Sequence, residues 1–489
     1  MNRRRFLKYA GATAAVAGAS AVGLDYLLEP QTFPQTNTTS THIATPPSIS
    51  DFHWQPTRVV NGKVYEAAIS LNVQSENPPV DVSAVLEDHA PTIPARAYPA
   101  ELARTLQLTQ SQTGNASAIY AGQVTDLKGG KEYQLTVSAQ DSRNNKTNAE
   151  FETPYVREYE NMADRNDILV GAAYHPWFRN PCRPGEACHW DEWGNMTSGS
   201  TFLGTPLLGL YNSDDPLVIA KHIDWATGYG VDFFECSYWG PDFARKSILP
   251  LFQNPLIGDI KVSILYETAN LVSWGDISLV NLNEPGSYSA FKSHLEYAAK
   301  NYFSHPSYLR IGGRPVIRIY HTMQIRSDIT APIAKLRRGM KDIGYEIYLI
   351  GDDLDWGLSI SSRRLKAFDA ITNYALPPLW AEDKSATAVR KEYSRWQSAA
   401  HAVGVEVIPS VYPGYDDRHI KNRPVSYGYV PRSTQFFMSN LKIAMEFVDR
   451  SRMLGIVSWD EWGEDSFIEP SVEDDFKYLQ TLKDAVAGH

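Results

Sequence analysis

The densest run of chemically able side chains is Trp459-Asp-Glu-Trp-Gly-Glu-Asp-Ser-Phe-Ile-Glu-Pro470. Glu461 and Glu464 stand three apart in it, with Trp462 between them, so both can project into one cleft. Glycosidic cleavage asks for such a pair. One carboxylic acid protonates the leaving oxygen, and a second carboxylate assists at the anomeric side. Crowded carboxylates raise each other's proton affinity, which lets one remain an acid while its neighbour is ionised. An exposed acidic loop has the same composition, since Asp460, Asp465 and Glu469 are adjacent. The run therefore has to be read with its surroundings.

Those surroundings are the ends of apolar runs elsewhere in the chain. Tyr174, His175 and Trp177 follow one run, Tyr238 and Trp239 a second, and Glu267 closes a third. Tyr320, Tyr374 and the group Tyr412, Tyr415 and Asp416 sit at three more. Aromatic rings stack on the apolar faces of sugars, and carboxylates accept hydrogen bonds from hydroxyls. The mixture suits a carbohydrate cleft, with a polysaccharide or oligosaccharide as partner. The chain holds 12 Trp, 27 Tyr and 18 Phe, and every Trp except Trp54 lies after position 165. Its 46 Lys and Arg against 56 Asp and Glu argue against a nucleic-acid binder, which needs a basic footprint. No cofactor is expected, and no second Cys or His pair stands at zinc-ligand spacing.

The elements that must position these groups follow from periodicity. Between residues 49 and 155, Val64–Val73, Ser117–Gln123 and Glu132–Ala139 read as strands, the last with Tyr133, Leu135 and Val137 on one face. Leu127-Lys-Gly-Gly-Lys-Glu-Tyr133 looks like the corner before a late strand of an immunoglobulin or fibronectin III-like sandwich. From 165 to 489, eight apolar runs alternate with helical stretches: Ile168–Ala173, Val231–Ser237, Lys261–Glu267, Pro315–Tyr320, Glu346–Gly351, Ala370–Tyr374, Val405–Val411 and Gly455–Trp459. Asp215-Pro216 and Ser433 cap two amphipathic helices. The rhythm predicts a (β/α)8 barrel behind a small all-β domain, an α/β protein overall. An open doubly wound sheet is the rival, but no Gly-rich phosphate loop follows the first strand.

Residues 1–30 read as an export signal or membrane anchor. Arg3-Arg-Arg-Phe-Leu-Lys8 matches a twin-arginine motif, and an uncharged Ala- and Gly-rich run follows. Residues 31–48, rich in Thr and Pro, read as a linker. The expected location is outside the cytoplasm, with a membrane tether as one outcome. There Cys182 and Cys188 are expected to close a short disulfide loop.

Several segments resemble glycoside hydrolase family 99, the endo-α-mannosidases and endo-α-1,2-mannanases. They are Tyr174-His-Pro-Trp-Phe178, Tyr211-Asn-Ser-Asp-Asp-Pro216 with His222, Val231-Asp-Phe-Phe-Glu-Cys-Ser-Tyr-Trp-Gly-Pro241, Glu267, Pro409-Ser-Val-Tyr-Pro-Gly-Tyr415 and Asp460-Glu-Trp-Gly-Glu464. The order is kept across most of 165–475. The resemblance implies a retaining, metal-independent endo-glycosidase. Glu461 would act as base on the sugar 2-hydroxyl, and Glu464 as acid and then as base for water. Asp460, Gly463 and Tyr266 replace the family's Asn, His and His, which alters the substrate-facing surface. A non-catalytic surface polysaccharide-binding protein on the same barrel is the alternative.

Overall fold

The computed structural model describes residues 45–88, 93–94, 97–99, 101–114, 116–163, 165–181, 189–190, 204–272, 279–325, 327–354, 361–374, 386–418, 420 and 428–487. The leader, most of the linker, Cys182 and Cys188 lie outside the described residues.

Among the described residues the first region holds eight strands: β1 (Ser48–Val60), β2 (Lys63–Gln74), β3 (Val80–Asp88), β4 (Arg104–Leu106), β5 (Thr109–Thr113), β6 (Ser117–Val124), β7 (Tyr133–Asp141) and β8 (Lys146–Glu152). They form two antiparallel four-stranded sheets, in the orders β1-β2-β6-β5 and β4-β3-β7-β8. Period-two alternation puts Ile69, Leu71 and Val73 of one sheet against Leu135, Val137 and Ala139 of the other. Between β6 and β7 the Tyr133 hydroxyl bonds both the N–H and the C=O of Lys128. The connection onward is strapped to the next region by one carboxylate. Buried Asp224 accepts from the Tyr155 hydroxyl at 2.9 Å and from the N–H groups of Glu158 and Tyr159.

The second region is the barrel: β9 (Leu169–Tyr174), β10 (Phe233–Tyr238), β11 (Lys261–Tyr266), β12 (Arg310–Ile311, a hairpin arm on the next strand), β13 (Arg314–Ile319), β14 (Tyr348–Gly351), β15 (Ala370–Thr372), β16 (Glu406–Ile408), β17 (Ser410–Val411) and β20 (Met453–Ile456). Two short strands, β18 (Tyr415–Asp416) and β19 (Tyr429–Val430), pair beside it. The parallel order runs β16-β15-β14-β13-β11-β10-β9-β20-β17. Its two ends are halves of one strand separated by Pro409, so the sheet closes. β16 pairs with β15, β17 pairs with β20, and the Pro409 carbonyl accepts from Gly455. This is the expected eight-stranded (β/α)8 barrel, not an open sheet.

Alternation along the strands sorts side chains between the lumen and the surrounding helices. Phe233, Val316, Tyr348, Ile350, Ala370, Ile408 and Met453 plug the lower lumen. The Phe233 ring takes the room beside Gly171, where a Cβ would come within 2.2 Å of it. Ala173, Leu265, Tyr374, Tyr412 and Val457 form the upper layer, beneath the mouth.

Candidate active site

The mouth is assembled from residues one or two steps past the strands, where the inward alternation continues. His175 follows β9, Trp239 follows β10, Glu267 follows β11, Tyr320 follows β13, Asp352 follows β14, and Tyr374 and Tyr412 follow β15 and β17. Asp352 is a brace. Its carboxylate accepts from the His321 N–H and the Tyr374 N–H at 2.9 Å each, tying two strand ends together. The Tyr412 hydroxyl donates to the Tyr374 carbonyl.

Glu461 and Glu464 face this same pocket. Glu461 is buried, its N–H donating to Ser458 Oγ at 2.6 Å and its Oε2 lying 3.8 Å from His175 Nε2. Glu464 is half-buried, and its charge acts on both Glu267 and Tyr320. Tyr374 feels Tyr320, Glu267 and Glu461 in turn.

The third carboxylate, Glu267, accepts from Ser237 Oγ at 2.7 Å, and that hydroxyl accepts from Trp239 Nε1 at 2.9 Å. Burial, reinforced by the Glu464 charge, pushes the Glu267 carboxyl up to about 7, against the Ser237 hydrogen bond and the His175 charge. A carboxyl raised in the folded state binds a proton on folding between its ordinary value and 7, so stability falls as pH rises through that window. Glu267→Gln is therefore expected to raise the thermal unfolding midpoint at pH 8 and to leave it nearly unchanged at pH 4. A midpoint unmoved at pH 8 contradicts the burial-driven shift.

The aromatic surface at the mouth is smaller than the sequence suggested. Trp177 and Trp239 are half-buried, their ring centroids 6.4 Å apart and the rings at 52°. Tyr320 is half-buried and meets Tyr374 edge-on at 5.1 Å. Tyr415 stands 6.3 Å from Tyr412, and Asp416 forms an ion pair with Arg418 at 2.7 Å. Three expected platform residues are corrected by their packing. Tyr174 ends β9 on the helix side, stacked on Phe234 at 4.6 Å and hydrogen-bonded to His222. Tyr238 ends β10 on the same side, its hydroxyl donating to the His294 carbonyl. Trp462 is 1% exposed and stacks on Phe467 at 3.8 Å.

Trp462 belongs instead to a support that sequence reasoning missed. Its Nε1 donates to Glu469 Oε2 at 3.1 Å. Glu469 also accepts from the Tyr211 hydroxyl at 2.7 Å and bonds His222 Nε2 at 3.1 Å. This buried network pins the segment between the two glutamates to the helix Pro216–Gly228. Among the described residues no three His, Cys, Asp or Glu side chains gather as ligands for a metal ion.

The closed parallel barrel is the fold of a solved family 99 glycoside hydrolase. The GH99 endo-alpha-mannosidase of Bacteroides thetaiotaomicron, in complex with bis-tris-propane, superposes with a TM-score of 0.51 at 24% identity, covering 65% of this chain and 96% of that one. The chain belongs to the family described as Glycosyltransferase WbsX, whose model matches residues 205–482. It is 25% identical over 316 residues to the uncharacterized protein WxcX of Xanthomonas campestris pv. campestris, covering 57% of this chain and 42% of that protein. The chain thus spans less than half of that relative's length. It is 21% identical over 335 residues to the glycoprotein endo-alpha-1,2-mannosidase of Rattus norvegicus, covering 63% of this chain and 68% of that enzyme.

Proposed function

We propose that the protein is an exported, endo-acting glycoside hydrolase that cleaves α-linked polysaccharide, mannose-containing chains among them, with retention. The observation that carries this reading is the setting of Glu461 and Glu464. Both lie among the residues that follow the carboxyl ends of the barrel strands: Glu461 is buried with Oε2 3.8 Å from His175 Nε2, and Glu464 is half-buried and acts electrostatically on Glu267 and Tyr320.

The chemistry that fits is substrate-assisted. Glu461 takes the proton of the sugar 2-hydroxyl, and that oxygen attacks the anomeric carbon. The glycosidic C–O bond breaks as Glu464 protonates the leaving oxygen. Water, deprotonated by Glu464, then opens the 1,2-anhydro sugar at the anomeric carbon, and Glu461 returns the proton to the 2-oxygen. Two displacements at one carbon give net retention, and both carboxyls end in their starting states. The half-open setting of Glu464 suits the group that must meet both leaving group and water. The twin-arginine motif at Arg3-Arg4 supports export, with release or a membrane tether as its two outcomes.

Trp239 is assigned to the sugar platform, and its indole also steadies the Ser237–Glu267 pair. Trp239→Ala is expected to raise KM roughly ten-fold, from a stacking loss of about 1–2 kcal/mol. A KM within two-fold of wild type removes Trp239 from the platform.

The family description favours a second reading, sugar transfer from a nucleotide-activated donor. The pocket floor opposes it. Three carboxylates, Asp460, Glu461 and Glu267, act on the imidazole of His175, and Arg318 below is already paired with Glu235, so a diphosphate brought there meets net repulsion. The test is incubation of the full chain with α-mannans and mixed prokaryotic polysaccharides, read by product size, beside a nucleotide-sugar binding titration. Shortened chains without nucleotide support hydrolysis. Nucleotide-dependent lengthening supports transfer, and binding without either makes the protein a glycan-binding barrel.

A further inference from the structure

Asp460 stands where the resembled motif has an asparagine, and the structure gives that charge a partner. Asp460 is completely buried. Its Oδ1 accepts the His175 N–H at 2.7 Å and lies 3.2 Å from His175 Nδ1. Those two contacts fix the imidazole by backbone and ring at once. They turn Nε2 toward the Tyr374 hydroxyl at 3.2 Å and Glu461 Oε2 at 3.8 Å. The ring also lies against Trp177, centroids 4.7 Å apart, which closes it from water.

We propose that His175 is the positioning residue that holds Glu461 as an anion, with Asp460 fixing the imidazole and keeping it charged. The inference rests on the reading of Glu461 as base. The groups facing the imidazole are Asp460 and Glu461 from the segment after β20, Glu267 just after β11, Tyr374 just after β15, and His189, whose own ring stacks on the other neighbour, Trp177. Arg179, on the segment after β9, acts electrostatically on His189. Three carboxylates therefore converge on one imidazole in a closed space. Without a cation the like charges would disfavour one another's ionisation. Burial alone would discharge His175, but the Asp460 hydrogen bond and the charges of Glu461, Asp460 and Glu267 outweigh it and raise the imidazole to about 9. His189 goes the other way. Burial, with the charges of His175 and Arg179, lowers it to about 3, so it adds no second cation.

The test needs no substrate. In the full chain labelled at histidine nitrogens and glutamate carboxyl carbons, the signals of His175 and Glu461 are assigned by their loss in His175→Gln and Glu461→Gln. The wild-type imidazole is expected to stay charged through pH 7, and Asp460→Asn to lower its midpoint by roughly two pH units. His175→Gln is expected to move the Glu461 midpoint up by roughly one to two units. A neutral His175 at pH 7, or a Glu461 midpoint unmoved in His175→Gln, overturns the inference. With a cleaved polysaccharide in hand, the acid limb of kcat/KM is expected to move upward with Glu461 in His175→Gln and to recover above it. A purely structural role lowers activity by one factor at every pH. If the wild type cleaves nothing, the functional reading falls, while the two titrations still decide whether His175 charges Glu461.

Discussion

Glu464→Gln is expected to lower kcat on unactivated polysaccharide by about a thousand-fold, within the range a positioned general acid contributes. Gln keeps the size and one hydrogen-bonding oxygen but has no proton to give the leaving oxygen. The defect has a signature beyond its size. A substrate whose leaving group departs without protonation, such as a nitrophenyl glycoside, is expected to recover much of the first step in Glu464→Gln. It is expected to recover little in Glu461→Gln, because the 2-hydroxyl still needs a base. The structure supports unequal roles. Glu461 lies buried beside His175, while Glu464 is half-buried and joins Glu267 and Tyr320 electrostatically. Equal rescue of the two variants would mean that the roles are wrongly divided.

The second large effect is on stability. Glu235 and Arg318 point into the lumen from β10 and β13 and form an ion pair at 2.9 Å, 1% and 0% exposed. The guanidinium carbon lies 5.9 Å from the centre of the Tyr374 ring, so the pair sits directly below the pocket. Gly455 leaves the space for it. A Cβ there would come within 2.6 Å of Ser410 Oγ and 3.3 Å of Arg318 Nη2. Glu235→Gln removes the carboxylate and strands a guanidinium that cannot discharge, which is expected to cost about 3–5 kcal/mol. Replacing both partners, Glu235→Leu with Arg318→Met, is expected to recover most of that loss, because the Coulombic gain of a buried pair is set against the desolvation of both charges. Denaturant midpoints of the three proteins check this. A loss below about 1 kcal/mol in Glu235→Gln would mean that water reaches the layer.

Much of this architecture is legible in the chain because it rests on local periodicity. The eight apolar runs of the barrel are strands in the structure, with ends displaced by one to a few residues. Pro409 splits the seventh run because it has no N–H for the ladder, and the split is where the barrel closes. The carboxylates and aromatics of the mouth are legible as strand-end residues. What sequence reading blurred was their side. Tyr174 and His175, Tyr238 and Trp239, and Tyr266 and Glu267 are adjacent pairs in which the first member faces the helices and the second the pocket. Period-two alternation counted from the core residues of each strand would have separated them. Trp462 is different. Beyond Val457 the alternation breaks, and Trp459 packs outward on Phe234 and His222. No spacing rule placed Trp462 against Phe467.

The supports were hidden for another reason. His222 meets Glu469 across 247 positions and His175 meets Asp460 across 285. Such pairings follow from barrel closure and carry no local signature. His222 and Asp460 were visible as motif members, but a role for either required their partners.

The central claim is that two glutamates at the end of the eighth barrel strand cleave a glycan with retention. It is tested most directly by following an α-mannan digest with the full chain by proton NMR from the first minutes. The account predicts shortened chains whose newly formed reducing ends appear first as the α-anomer, with mutarotation following. First appearance of the β-anomer, or intact chains under saturating binding, would contradict it.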